Sequence, residues 1–198
     1  AVARYLANGA PDTTFGADGN GIAEIDLGTD GDFVADGGVA ADLAIDADGN
    51  LVIVGAAVDG AYVVSGKGKK AVEREVLDHR IALVRLDTDG NLDSSFGDDG
   101  VVLTSIPDTD SEAATAVAIL SDGDILVGGG GTFTIETSDG SSRKKKGGTR
   151  RVSGSGAILV RYDASAGYAL DTNFGGGDGI AVDTQFVLGD GYILGTRV

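Results

Sequence analysis

Apolar residues in this chain come in short runs of Val, Ile, Leu and Ala, divided by Asp-Gly and Asn-Gly pairs. Typical runs are DGNLVIVG at 48–55, IALVRLD at 81–87, GVVLTSI at 100–106 and AATAVAIL at 113–120. They are too short for helices, are rich in β-branched residues and are bounded by turn residues, so they predict strands. Asp-Gly and Asn-Gly supply the positive-φ residues that type I′ hairpin turns require, so consecutive strands should fold back on each other. The expected fold class is all-β, built from antiparallel strands in one domain spanning 1–198.

The strands recur in a fixed order. PDTTFGADG at 11–19, LDSSFGDDG at 92–100 and LDTNFGGGDG at 170–179 are versions of one phrase, and each follows an Arg-centred apolar strand. Aligning on that phrase gives a unit of about four antiparallel strands. The first follows an Asp-Gly turn (48–55, 122–129, 190–196). The second carries the Arg (81–87, 157–163, 1–7). The third follows the phrase (100–106, 179–183, 21–27). The fourth is VAADLAID at 39–46, AATAVAIL at 113–120 and a compressed TQFVLGD at 184–190. Sequence repeats of this size mark a supersecondary unit that buries its apolar face only against neighbours. The units run 48–121, 122–189, and 190–198 joined with 1–47. The last of these predicts that the strand at 192–198 pairs with the strand at 1–6, closing a ring of three propeller-like repeats and removing its exposed edges. The alternative is that this chain is half of a larger ring completed by a second chain.

The phrase has a local physical reading. Asp12, Asp93 and Asp171 are placed to accept backbone N–H bonds two residues on, as Asx turns do. Phe15, Phe96 and Phe174 are expected to be buried wedges between neighbouring sheets, and the glycine after each supplies a positive φ or a close approach. Arg4, Arg85 and Arg161 are expected to be equivalent. The phrase is read as a corner used three times.

The pattern L-V-R-x-D-x-D-G-x-L-D-[ST]-x-F-G, then Gly and a strand, then A-x-A-V-x-x-x-D-G-x-I-L-V-x-G, resembles the delta-60 repeat family. That resemblance covers nearly the whole chain outside two inserts. It implies a propeller-like bacterial protein of the cell surface or secreted fraction, with no defined activity. The chain departs from the family pattern in its period, which is near 80 residues, in a shortened last copy and in having three copies. Propeller rings usually hold about four to eight blades.

Charge adds a second feature. The chain carries 15 basic and 31 acidic residues, a formal charge of −16. A nucleic-acid partner is not expected, because phosphate binding requires a basic face. The basic residues are not spread evenly. All six lysines fall in the inserts at 56–80 and 130–156, which lie between first and second strands. Such runs are often solvated hairpin tips. Here the obvious acidic surface is another copy, since complementary potentials steer and register contacts. Lys67, Lys69, Lys70, Arg143, Lys144, Lys145, Lys146, Arg150 and Arg151 are therefore the candidate self-association residues. Tyr62, Val63, Val64, Phe133 and Ile135 are expected to form hairpin stems or to bury at the same interface.

Candidate chemistry is sparse. With no cysteine and a single histidine, His79, read as exposed, there is little for thiolate metal sites or nucleophilic catalysis. The glycine stretches lack the spacing of phosphate-binding loops. Oxygen-rich turns make calcium the one candidate cofactor, with Asp87, Asp89, Asn91 and Asp93 as the best ligand set, although Asp-Gly turns require no metal. No apolar run has the length of a membrane-spanning helix, so membrane insertion is not expected. The chain opens without an initiator Met or a signal-type segment, the form expected of a processed product or of part of something longer. The expectation is a non-enzymatic, extracellular or cell-surface bacterial structural or adhesive protein that self-associates, with a fibre or surface layer as the form of assembly. Its expected partners are copies of itself, with surface polysaccharide as a second candidate. A calcium-dependent ligand-binding or adhesive module is the rival reading, and a carbohydrate-active enzyme is the weaker one.

Overall fold

The computed structural model describes residues 1–25, 27, 37–65, 72–138, 149–187 and 193–194. It is all-β, with twelve strands in the described residues: β1 (Val2–Ala3), β2 (Ile22–Ala23), β3 (Gly37–Ile45), β4 (Leu51–Ser65), β5 (Val72–Leu86), β6 (Val101–Thr104), β7 (Ser111–Ile119), β8 (Ile125–Ser138), β9 (Thr149–Asp163), β10 (Ala169–Leu170), β11 (Ile180–Val187) and β12 (Ile193–Leu194). A 3-10 turn at Ala164–Ala166 follows β9. The strands form a two-stranded sheet β1-β2, a four-stranded sheet β3-β4-β5-β6, and a larger sheet β12-β11-β9-β8-β7 with β10 beside β9. All pairings are antiparallel.

The two large sheets share a plan. Each begins with a strand that folds back through an Asp-Gly turn, then runs through a long hairpin to the strand after the Phe phrase, to which the larger sheet adds β12. Each first strand carries a bulge, at Ala40/Asp42 in β3 and at Ala114/Ala116 in β7. A glycine faces each bulge: a Cβ on Gly55 or Gly129 would stand 1.8 or 2.2 Å from the carbonyl oxygen of Val39 or Ala113. The sheets are offset by one strand from the units drawn at 48 and 122. The Asp46–Asn50 turn is a tight local hairpin, and it ties β3 to the strand that follows it.

Alternation along the central strands sorts their side chains between two cores. Val52, Val54, Ile81 and Leu83 join Ile125, Val127, Ile158, Val160 and Tyr162 in the core between the large sheets. Ile53, Val84 and Leu86 point the other way and pack with Phe15 and Ala23. The four-stranded sheet is thus the middle of three stacked layers.

Residues 56–80 and 130–156, the inserts between first and second strands, extend those strands as hairpin stems. β4 and β5 stay in one unbroken register from Leu51↔Leu86 to Ser65↔Val72, and β8 and β9 do so from Ile125↔Tyr162 to Ser138↔Thr149. Tyr62, Val63, Val64, Phe133 and Ile135 belong to these hairpin stems, and Phe133 is buried in the larger core. The expected pairing of the chain ends is not found among the described residues, where no sheet closes. Ile193–Leu194 pairs with Phe186–Val187 at the end of β11, which runs through the third-strand and fourth-strand positions. Residues 192 and 195–198 lie outside the described residues.

Candidate functional site

The Phe phrase folds into the same backbone corner at all three places. The amides of Asp12, Asp93 and Asp171 donate to the carbonyls of Arg4, Arg85 and Arg161 at 3.0, 3.0 and 2.9 Å. Phe15, Phe96 and Phe174 donate back to those Asp carbonyls, and Gly21, Gly100 and Gly179 donate to the Phe carbonyls. The glycine after each Phe has φ of +84°, +55° or +65°, and a Cβ there would stand 2.0, 2.4 or 2.1 Å from the carbonyl oxygen of Ile22, Val101 or Ile180. No side chain fits that approach.

Side chains reinforce the corner. Arg4 Nε and Arg85 Nε donate to Asp12 and Asp93 at 2.8 and 2.7 Å, and Arg161 Nε lies 3.1 Å from Asp171. The other carboxylate oxygen of each Asp accepts from the residue two on: Thr14, Ser95 or Asn173. Hydrogen bonds from the Thr14 hydroxyl and amide, with Arg4 adding its charge, hold Asp12 below the usual carboxylate range. Asp93 is lowered in the same way by the Ser95 hydroxyl, then by the Ser95 amide and Arg85, which together outweigh burial. The guanidinium groups of Arg4 and Arg85 also stack on Phe15 and Phe96, at 4.5 and 5.1 Å from the ring centroids.

Two of the corners grip the turn after the next Arg strand. Arg4 Nη1 donates to the Thr88 carbonyl, the Gly16 amide donates to Asp89 O at 2.8 Å, and the Phe15 ring sits where a Cβ on Gly90 would be. The second corner does the same with different chemistry. Arg85 Nη1 donates to Tyr168 Oη at 2.6 Å, and the Phe96 and Tyr168 rings lie 4.6 Å apart. Phe15 and Phe96 are fully buried, whereas Phe174 is half-buried and belongs to neither core. Arg161 turns to its own sheet, pairing with Asp122 and Asp124 at 3.0 and 2.7 Å.

Sequence reasoning missed Tyr168, Asp122 and Asp124. The signal for Tyr168 was the change from DTDGN at 87–91 to DASAGYA at 163–169, which inserts the 3-10 turn and puts Tyr168 at φ +66°. It also missed buried Glu112, which accepts from the Ile106 amide and the Thr109 hydroxyl, and the buried Thr104–Tyr162 hydroxyl pair at 2.7 Å.

Of the calcium candidates, Asp87, Asp89 and Asn91 meet in one turn and Asp93 lies in the corner. Asp87 caps its own turn, accepting from the amides of Asp89 and Asn91 and from the Asn91 side chain, and Asp93 faces Arg85. Among the described residues no three acidic or histidine side chains converge on a metal-sized position. His79 is half-buried rather than exposed. Lys67, Lys69, Lys70, Arg143, Lys144, Lys145 and Lys146 lie outside the described residues. Arg150 and Arg151 stand in β9 opposite Thr137 and Glu136. A depression of about 220 Å³ beside the third corner is lined by Ile106, Pro107, Gly175, Gly176, Asp178, Ile180 and Val182. Among the described residues no helix is long and apolar enough to cross a membrane.

The segments that carry the first two Arg strands and corners are the ones that match a known family. Residues 1–15 and 79–96 match the family model described as a domain of unknown function (DUF5122) beta-propeller. The chain is similar to a propeller-like repeat family. No curated protein and no solved structure matches.

Proposed function

We propose that this chain is a non-enzymatic structural or adhesive β-repeat protein of the bacterial cell surface or secreted fraction, assembling with copies of itself. On this reading it carries three propeller-like units of the delta-60 kind. The observation that supports assembly is the pair of ribbons formed by the two long hairpins. In the described residues β3 accompanies β4 only as far as Val58, and β6 pairs β5 only over Ile81–Val84. Beyond those limits β4 and β5 continue alone to Ser65↔Val72. Likewise β8 and β9 continue alone from Phe133↔Gly154 to Ser138↔Thr149. A two-stranded ribbon is marginal in water by itself and offers two open edges. Both ribbons lead in sequence to the lysine tracts of an otherwise acidic chain. A ribbon edge with a basic tip is suited to an acidic neighbouring copy.

The test is light scattering and electron imaging of the purified chain at low salt, beside a variant with 143–146 reversed to Glu. Regular assemblies from the parent and few from the variant are expected. A monomeric parent would sink the reading.

A further inference from the structure

Among the described residues the chain holds both halves of its own corner-on-turn contact in unused form. Within the chain, the Phe15 corner covers the turn after β5, and the Phe96 corner covers the turn after β9. The equivalent turn after β1 has the same closing bond, Gly9 N to Leu6 O at 2.8 Å, matching Gly90 N to Asp87 O and Tyr168 N to Asp163 O. It is uncovered. Tyr5 is 63% exposed, while its counterparts after the other two arginines, Leu86 and Tyr162, are 1% and 0% exposed. All three make the same bridge, to Pro11, Leu92 and Leu170, so the difference lies in what covers them. Among the described residues nothing lies within 4 Å of the position a Cβ on Gly9 would take. Leu6, also exposed, puts an apolar side chain where Asp87 and Asp163 cap the other two turns.

At the other end, Phe174 is half-buried, and the recorded side-chain bonds of Arg161 run to Asp122, Asp124 and Asp171 rather than to another unit's turn.

We infer that the Phe174 corner of one copy docks on the Tyr5–Leu6 turn of a second copy, repeating between chains the contact that joins corner to turn within one chain. It rests on the self-association reading above and names its contact. The two surfaces are different, so the contact is head-to-tail: it closes a ring if the rotation permits and continues as a fibre if not. The apolar pair Tyr5 and Leu6 supplies the centre of the patch, where aromatic anchors carry most binding energy.

The experiment compares Tyr5→Asp, Leu6→Glu and Phe174→Asp by analytical ultracentrifugation, with circular dichroism to verify folding. Tyr5 and Leu6 are exposed, so the first two variants keep the fold. Each single variant is expected to weaken association by about 30-fold or more. Tyr5→Asp retains an intact corner and Phe174→Asp an intact turn, so mixing them should restore one-to-one pairs that grow no further. Folded Tyr5→Asp and Leu6→Glu chains that assemble as the parent does would overturn the inference. If the 143–146 reversal alone abolishes assembly, self-association stands and corner docking fails. A parent that is monomeric, with Tyr5 protected by its own Phe174 in hydrogen-exchange or cross-linking data, overturns both.

Discussion

Phe96 and Phe174 occupy one position of one phrase, yet their energetics should differ. Phe96 is fully buried against Tyr168 and Arg85, while Phe174 is half-buried. Phe96→Ala should cost about 3–5 kcal/mol in urea unfolding of dissociated chains, as large core truncations do, and Phe174→Ala distinctly less. Equal losses would mean that Phe174 is covered within the chain. Acid should also act on these corners. Asp12 and Asp93 are lowered by their Thr14 and Ser95 hydrogen bonds, and Asp163 by those of Ser165. At Asp87, burial is outweighed by hydrogen bonds from Asn91, Asp89 and Gly90. A carboxylate with a lowered folded pKa contributes stability that is complete above its unfolded value and lost as pH falls through the folded one. Melting temperature should therefore hold through neutral pH and fall below about pH 4. Asp12→Asn and Asp93→Asn together should flatten that acid limb. The roles of Asp and Gly here were legible from sequence because they are local. The partners of Arg85 and Arg161 were not, because Tyr168 and Asp124 reach the corner from turns distant in sequence.

Among elements, the corner and the open turn make a controlled comparison. Gly16 and Gly9 share nearly the same φ, +84° and +83°, but a Cβ on Gly16 would meet Ile22 O at 2.0 Å and one on Gly9 would meet nothing described. Gly9→Ala should cost only the left-handed backbone penalty, about 1–2 kcal/mol. Gly16→Ala should add an overpacking cost of about 1–3 kcal/mol. Equilibrium unfolding of the two variants measures the difference, and equal costs would mean that the close approach relaxes freely. Strand identity was readable from the apolar runs, but the extent of the hairpins was not. GGGG at 128–131 carries no β-branched or aromatic signal of its own, yet it continues an unbroken ladder. Ladder bonds depend on the partner strand rather than on local preference, and β propensity reflects that context.

For the molecule as a whole, the all-β class and the recurring corner were visible in the sequence. The pairing of 192–198 with 1–6 followed from repeat register alone, whereas among the described residues β12 pairs with its sequence neighbour β11, a hairpin of low loop-closure cost. Charge gives the remaining prediction. The body is strongly acidic, with a formal charge of −16 that includes every basic residue, so copies repel except where the lysine tracts meet acid. Salt weakens both forces as the Debye length shrinks from about 30 Å at 0.01 M to about 3 Å at 1 M. If the basic tracts carry the contact, the lost attraction dominates and added salt dissociates the parent. Reversing 143–146 to Glu removes that attraction and lowers the formal charge by two for each of four residues. Only repulsion is then left to screen, so added salt should promote whatever association survives. Sedimentation of parent and variant across that salt range should therefore show slopes of opposite sign. Parallel slopes would mean that the basic tracts are solvated tips with no part in the contact.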